Sequence, residues 1–91
     1  MNESSTIRID RITQADAAHV LGVAGYEGGI MPGRFMEKLI EAGFLADEGN
    51  LDRLARGFEG TMAAISAYKR MPGGIQILRE IAAGQPYMPE Q

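Results

Sequence analysis

The stretch MPGRFMEKLIEAGFL, residues 31–45, is the segment from which we predict the fold. Apolar residues recur there at the spacing of one helix face and charged residues occupy the other: Phe35, Met36, Leu39 and Ile40 against Arg34, Glu37, Lys38 and Glu41. Pro32 suits a first helical turn, where the missing N–H costs nothing. Gly43 is predicted to end the helix in a left-handed conformation, with Phe44 and Leu45 folding back onto it. The pattern therefore predicts one well-defined amphipathic helix.

Similar patterns before and after this stretch predict four more helices. Thr13 followed by Asp16 resembles a capping box, so a helix is expected from about Gln14 to Gly22. The other three are a helix capped by Asp47 or Asn50 that carries Leu51, Leu54, Ala55 and Phe58, a helix from Gly60 or Thr61 to Arg70, and a helix from about Gly74 to Ala83. Glycine clusters between Gly22 and Gly33 predict an irregular connection.

These elements predict an all-α, compact single domain of about five short helices joined by Gly/Pro-rich turns, with the packing angle left open. Residues 13–84 form the helical domain and residues 85–91 a Pro-rich tail. Alternation around Ile7 and Ile9 predicts an extended N-terminal arm over residues 1–12. The arm either lays Ile7, Ile9 and Ile12 on the helices or crosses to a neighbouring subunit.

Composition narrows the classes of function. The chain has 91 residues, no cysteine and one histidine, His19, so neither disulfides nor a metal are expected to stabilise it, and we expect a homo-oligomer. A net charge of −3 makes nucleic acid an unlikely partner. No apolar run is long enough to cross a membrane, and no secretion signal stands at the start, so a cytoplasmic protein is expected.

The tripeptide Met-Pro-Gly occurs at two predicted helix starts, residues 31–33 and 71–73. A duplicated helical unit and a coincidence of start signals both explain it, and the segments between match poorly. Helix N-termini expose unpaired N–H groups and a partial positive charge, which attract anions. The residues that surround these starts give a predicted ligand-binding set for a nucleotide or another phosphate: Tyr26, Gly33, Arg34, Lys69 and Arg70.

The same residues also have a purely structural interpretation. Gly and Pro are routine at helix starts, Tyr26 would cover the core, and Arg34 would pair with Glu37. No Gly-Lys-Ser/Thr sequence follows the glycines, so nucleotide hydrolysis is not predicted. The serines have no context of an activated nucleophile, and a single histidine is the only candidate base. We therefore expect no catalytic residues, no cofactor and no metal, that is, a protein that is not an enzyme.

A wider set of residues resembles small uncharacterised helical proteins encoded by phages and prophages. The resemblance covers about forty residues and is carried by Pro32, Gly33, Phe35, Leu39, Ile40 and Ala42, by Ala46, Asp47, Asn50, Arg53, Leu54, Gly57 and Phe58, and by Ala64, Tyr68 and Lys69. The spacing after Asp47 departs by one residue from the tighter form of this turn. The resemblance implies a phage accessory protein, located in the host cytoplasm, that acts by binding rather than by catalysis.

Three functions follow as hypotheses. The first is a self-associating helical binder that sequesters a small anionic, nucleotide-type ligand, such as a host defence signal, near Gly33, Arg34 and Tyr26. The second is an adaptor or inhibitor that docks on a host protein through an apolar face, such as Ile75, Ile77 and Leu78, or through the Pro-rich tail. The third is a DNA-binding regulator, which the acidic balance disfavours.

Overall fold

The computed structural model describes residues 8–85, which form a short 3₁₀ helix and five α-helices. The 3₁₀ helix spans Ile9–Arg11, and the α-helices are α1 (Gln14–Ala24), α2 (Arg34–Leu45), α3 (Glu48–Ala55), α4 (Glu59–Arg70) and α5 (Gly74–Ala82). The predicted all-α fold class is confirmed. Residues 1–7 and 86–91, which hold most of the predicted arm and tail, lie outside the described residues.

Helix α4 is the centre of the domain, because it contacts the other four α-helices and the 3₁₀ helix. Its alanines Ala63, Ala64 and Ala67 have no exposed surface, so the neighbouring backbones approach it closely. Large side chains of α4 and of the four α-helices around it fill the core, and the fully buried ones are Val20, Leu21, Ile40, Leu51, Met62, Ile65 and Leu78. The Cα radius of gyration of 12.1 Å is that of a compact domain of this size.

Two helix starts are fixed by the side chains that the sequence predicted. The Asp16 N–H donates to the Thr13 hydroxyl and the Thr13 N–H donates to the Asp16 carboxylate, both at 3.0 Å, which completes a capping box. Of the two candidates for α3, Asp47 is the cap, since it accepts from the Asn50 N–H at 2.8 Å. Asp16 also accepts a hydrogen bond of 3.1 Å from the buried hydroxyl of Thr61, which ties α1 to α4.

The segment between α1 and α2, residues 25–33, packs closely against α1. The Ile30 N–H donates to the Ala18 carbonyl at 2.9 Å. Gly22 has no room for a side chain, because a Cβ there would lie 2.5 Å from the Ile30 carbonyl carbon. The glycines of this segment therefore serve close backbone packing as well as turning.

Helix α2 differs from the prediction at both ends. It begins at Arg34 with Gly33 as its N-cap, so Pro32 precedes the helix. It runs through Gly43 to Leu45, and Gly43 is helical rather than left-handed. Gly43 is needed because α4 packs there: a Cβ would lie 2.5 Å from Cδ1 of Ile65. The sequence pattern predicts that Gly43 ends the helix, whereas in the structure its missing side chain makes room for Ile65.

The described part of the N-terminal arm is not extended throughout. Arg8 and Ile12 have extended backbones, but the residues between them form the 3₁₀ helix. Ile12 is buried and Ile9 packs against the same core. The described isoleucines thus pack on the core of the same chain, whereas Ile7 lies outside the described residues.

Candidate functional site

Gly33 and Arg34 lie at the exposed start of α2, where an anion site was predicted. No side chain caps the first turn of this helix, and a Cβ at Gly33 would meet nothing within 4 Å. Arg34 is exposed, and within residues 8–85 it has no ion-pair partner, so the predicted pairing with Glu37 is absent. The N–H groups of this turn are therefore open to solvent.

Tyr26 belongs to an aromatic cluster with Tyr68 of α4 and Phe44 near the end of α2. Its ring lies edge-on to Tyr68, with centroids 6.0 Å apart, and Tyr68 lies 5.2 Å from Phe44. Burial raises the pKa of the Tyr68 phenol, and the neighbouring Tyr26 phenol raises it further. Tyr26 is 39% exposed, so it covers part of the core and keeps one edge in water.

Lys69 and Arg70 lie at the opposite end of α2 from Gly33. The Lys69 ammonium donates to the carbonyls of Ala46 at 2.7 Å and Gly43 at 3.3 Å, the last carbonyls of α2. Arg70 pairs with Glu48 at the start of α3. Gly33 and Gly43 are ten residues apart, about 15 Å along a helix. The structure therefore does not bring the five predicted ligand residues together, because these two cations bind helix ends instead.

A different surface collects exposed apolar side chains: an open groove of about 400 Å³ between α2 and α3. Ala42, Leu45, Ala46, Asn50, Arg53 and Leu54 line it. Only Ala46 and Asp47 separate the two helices, yet α2 and α3 hardly contact each other, since each packs chiefly on α4. The space between them is left uncovered. We call this surface the α2–α3 groove.

Phe35 and Phe58 continue the α2–α3 groove toward the start of α2. Phe35 precedes Ala42 by two helical turns, and its ring lies 6.0 Å from that of Phe58. The Phe58 N–H donates to the Leu54 carbonyl at 2.9 Å, so Phe58 follows Leu54 by one turn. The apolar surface thus extends along most of the length of α2.

The exposure of two side chains in this groove is exceptional for the chain. Leu45 is 88% exposed and Phe35 is 67% exposed, although the sequence placed Phe35 on the core face and folded Leu45 back onto its helix. The signal for this surface is an apolar line at i, i+4, i+7 and i+11 that runs from the predicted face of α2 into the following turn: Phe35, Leu39, Ala42 and Ala46. The contacts of α2 with α4 and α1 do not bury all of this apolar surface.

The face formed by Ile75, Ile77 and Leu78, predicted as a docking surface, is not available. Leu78 is fully buried, and Ile75 and Ile77 pack against the same core where α5 meets α1 and α4. The two Met-Pro-Gly segments also differ in conformation, with φ of −67° at Gly33 and +71° at Gly73. The repeated tripeptide therefore builds two different turns.

The described residues offer no cluster for metal binding. Within residues 8–85, no three His, Asp or Glu side chains are placed to hold an ion. His19 lines a separate surface hollow with Gln14, Ala18 and Ile30, where no carboxylate accompanies it. None of the five helices is long and apolar enough to cross a bilayer.

Comparisons with protein-family models, with curated proteins and with solved structures found no match to this chain. The resemblance to phage proteins therefore stays a prediction. What bears on function is the geometry of the surface, where the α2–α3 groove brings exposed apolar side chains together.

Proposed function

We propose that this chain is a non-catalytic binding protein that docks a segment of another protein in its α2–α3 groove. The observation that carries the proposal is the exposure of Leu45, at 88%, beside the apolar wall formed by Ala42 and Leu54. Covering a leucine or phenylalanine side chain completely contributes about 1.5–3 kcal/mol. An occupant that buries Leu45 and Phe35 gains this energy, which the isolated chain leaves unused.

The rest of the surface supports the same choice. Ala42, Leu45 and Leu54 line one groove, whereas Ile30 and Met31, which are 62% and 54% exposed, lie outside it, in the segment between α1 and α2. Continuous exposed apolar patches mark binding surfaces more often than single exposed residues do. A second copy of the chain is one protein that would fill the groove, in keeping with the predicted homo-oligomer.

Photo-crosslinking in the producing cell tests the proposal. A benzophenone amino acid replaces Leu45 or Phe35 in turn, and Ile30 serves as the matched control, because it is 62% exposed and outside the groove. We expect discrete adducts from positions 45 and 35 that Leu54→Asp abolishes, and none from position 30. Adducts equally strong at position 30, or none at 35 and 45, would refute the proposal. An adduct of twice the chain mass of 9.8 kDa identifies a second copy as the partner.

A second candidate function is the predicted binding of a small anion, now confined to the start of α2. The observation that favours it is the uncapped first turn beside the exposed Arg34. Thermal melts with mono-, di- and cyclic nucleotides test it, because a ligand that binds only the folded state raises the midpoint. A midpoint rise that Arg34→Ala removes supports this function, and unchanged midpoints across the panel reject it. A host defence signal as ligand, and a phage origin, belong to the same hypothesis.

A further inference from the structure

We infer that the occupant of the α2–α3 groove is an acidic amphipathic helix of about three turns. This inference rests on the proposed protein-docking function and adds the secondary structure and the charge of the partner segment. Three properties of the groove lead to it: its length, the nature of its walls and the charges along its rim.

The length of the groove sets the size of the occupant. From Phe35 to Leu45 there are ten residues of α2, about 15 Å along the axis, which matches three turns of a second helix lying beside it. Phe35 at one end and Leu45 at the other are the most exposed apolar residues of the groove. An occupant therefore needs apolar side chains spread over that length, at positions i, i+3 or i+4, and i+7.

The walls of the groove select a helix over an extended strand. Both walls are α-helices, whose backbone N–H and C=O groups are already bonded internally, and the described residues include no strand edge. An extended peptide pressed between them would lose water from its own backbone groups and gain no backbone partner. A helix satisfies its backbone internally and presents one apolar face.

The rim of the groove selects acidic residues on the flanks of that helix. Arg34 and Lys38 share the outer face of α2 with Leu45, at spacings of four and seven residues, and Arg53 lines the opposite wall. Glu41 on the same face of α2 pairs with Lys38 at 3.4 Å, and Asp47 in the turn between the helices caps α3. The rim is thus net positive on a chain whose net charge is −3.

The two guanidiniums of the rim are also unengaged. Among the described residues, Arg34 and Arg53 take part in no ion pair, and neither does Arg56 one turn from Arg53, whereas Arg8, Arg11, Arg70 and Arg79 each do. Carboxylates on both flanks of a bound helix would meet these groups, and lysines there would be repelled. The charges of the rim therefore favour an amphipathic helix with acidic flanks and disfavour one with basic flanks.

Two synthetic peptides test the inference by fluorescence anisotropy. Both are helix-stapled, both carry the same leucines along one face, and they differ only in having Glu or Lys on the flanks. We expect the acidic peptide to bind the full chain at least about tenfold more tightly at low salt, with the difference shrinking as salt screens the charges. The double substitution Arg34→Glu with Arg53→Glu should reverse the preference.

Matched variants keep the result interpretable. Arg79→Glu changes the charge by the same amount per site, but Arg79 lies on α5, which packs on α1 and α4, so the preference for the acidic peptide should remain. Leu45→Asp should abolish binding without unfolding the chain, because Leu45 is almost wholly in solvent.

Equal affinity for the two peptides, or a preference for the basic one, would overturn the inference. The docking function would then still be decided by the crosslinking result. Binding of neither peptide also overturns it, and if crosslinks at positions 35 and 45 are absent as well, the docking function fails with it. Binding of the acidic peptide that survives Leu45→Asp would place the helix elsewhere and equally refute the inference.

Discussion

Replacing Lys69 by methionine distinguishes the predicted ligand role of this residue from the role that its contacts indicate. Methionine keeps an unbranched apolar stem of similar length and removes only the ammonium group. In the structure that ammonium donates to Ala46 and Gly43 at 2.7 and 3.3 Å, where the last carbonyls of α2 carry partial negative charge. We therefore expect Lys69→Met to reduce stability.

The magnitude follows from these two contacts. A cation at a helix C-terminus contributes about 0.3–1 kcal/mol when exposed and up to about 2 kcal/mol when partly buried. One of the two Lys69 hydrogen bonds is partly buried and the other is exposed, so a loss of about 1 kcal/mol is expected. In a domain of this size that corresponds to a fall in Tm of roughly 4–8 °C.

Urea and thermal melts followed by circular dichroism provide the assay, with Lys38→Met as control. Lys38 is 66% exposed and pairs only with Glu41 in the next turn, so its loss should cost about 0.2–0.5 kcal/mol. If Lys69→Met is no more destabilising than Lys38→Met, the capping role is refuted and Lys69 is again a candidate ligand residue.

Five further substitutions test the packing, the caps and the titration of Tyr68. Gly74→Ala should cost about 1–3 kcal/mol despite the better helix propensity of alanine, because its Cβ would lie 2.8 Å from the Ala67 carbonyl carbon. Gly57→Ala, with open space around it, should instead gain about 0.4–1 kcal/mol, and urea melts that rank the two equally would contradict this. Asp16→Ala should cost about 1.5–3 kcal/mol, since it removes a cap and leaves the buried Thr61 hydroxyl unpaired, and Thr61→Val should recover part of that loss in a double-mutant cycle. Burial raises the pKa of Tyr68, so the folded state favours the neutral phenol. This contribution to the free energy of unfolding is complete below about pH 10 and is lost as pH rises through the folded pKa. Above that pH, Tyr68→Phe should therefore lose less of its free energy of unfolding with rising pH than the wild type does.

The helices were predictable because their signals are local. Thr13 with Asp16, and Asp47 before α3, are caps that need only residues within one turn, and both formed as expected. The start of α5 at Gly74 was likewise marked by the preceding Pro and Gly. Hydrophobic periodicity, together with the capping and turn residues, was therefore sufficient to predict the all-α class and the number of α-helices.

What failed depended on contacts between distant residues. The need for glycine at position 43 follows from Ile65 on α4, and the buried state of Leu78 from the position of α5 against α1 and α4, so neither was visible in its own neighbourhood. Lys69 lies just before a predicted phosphate loop in sequence but reaches the end of α2 in space. The exposure of Phe35 has the same origin, because α3 does not close over α2.

The most direct test of the groove as a docking site is a titration of ¹⁵N-labelled chain with the acidic stapled peptide, followed by two-dimensional NMR. We predict that the largest amide shift changes fall on the groove, at Ala42, Leu45, Arg53 and Leu54, while the amide shifts of α5 stay unchanged. Shifts that concentrate on α5, or on the start of α2 alone, would contradict it.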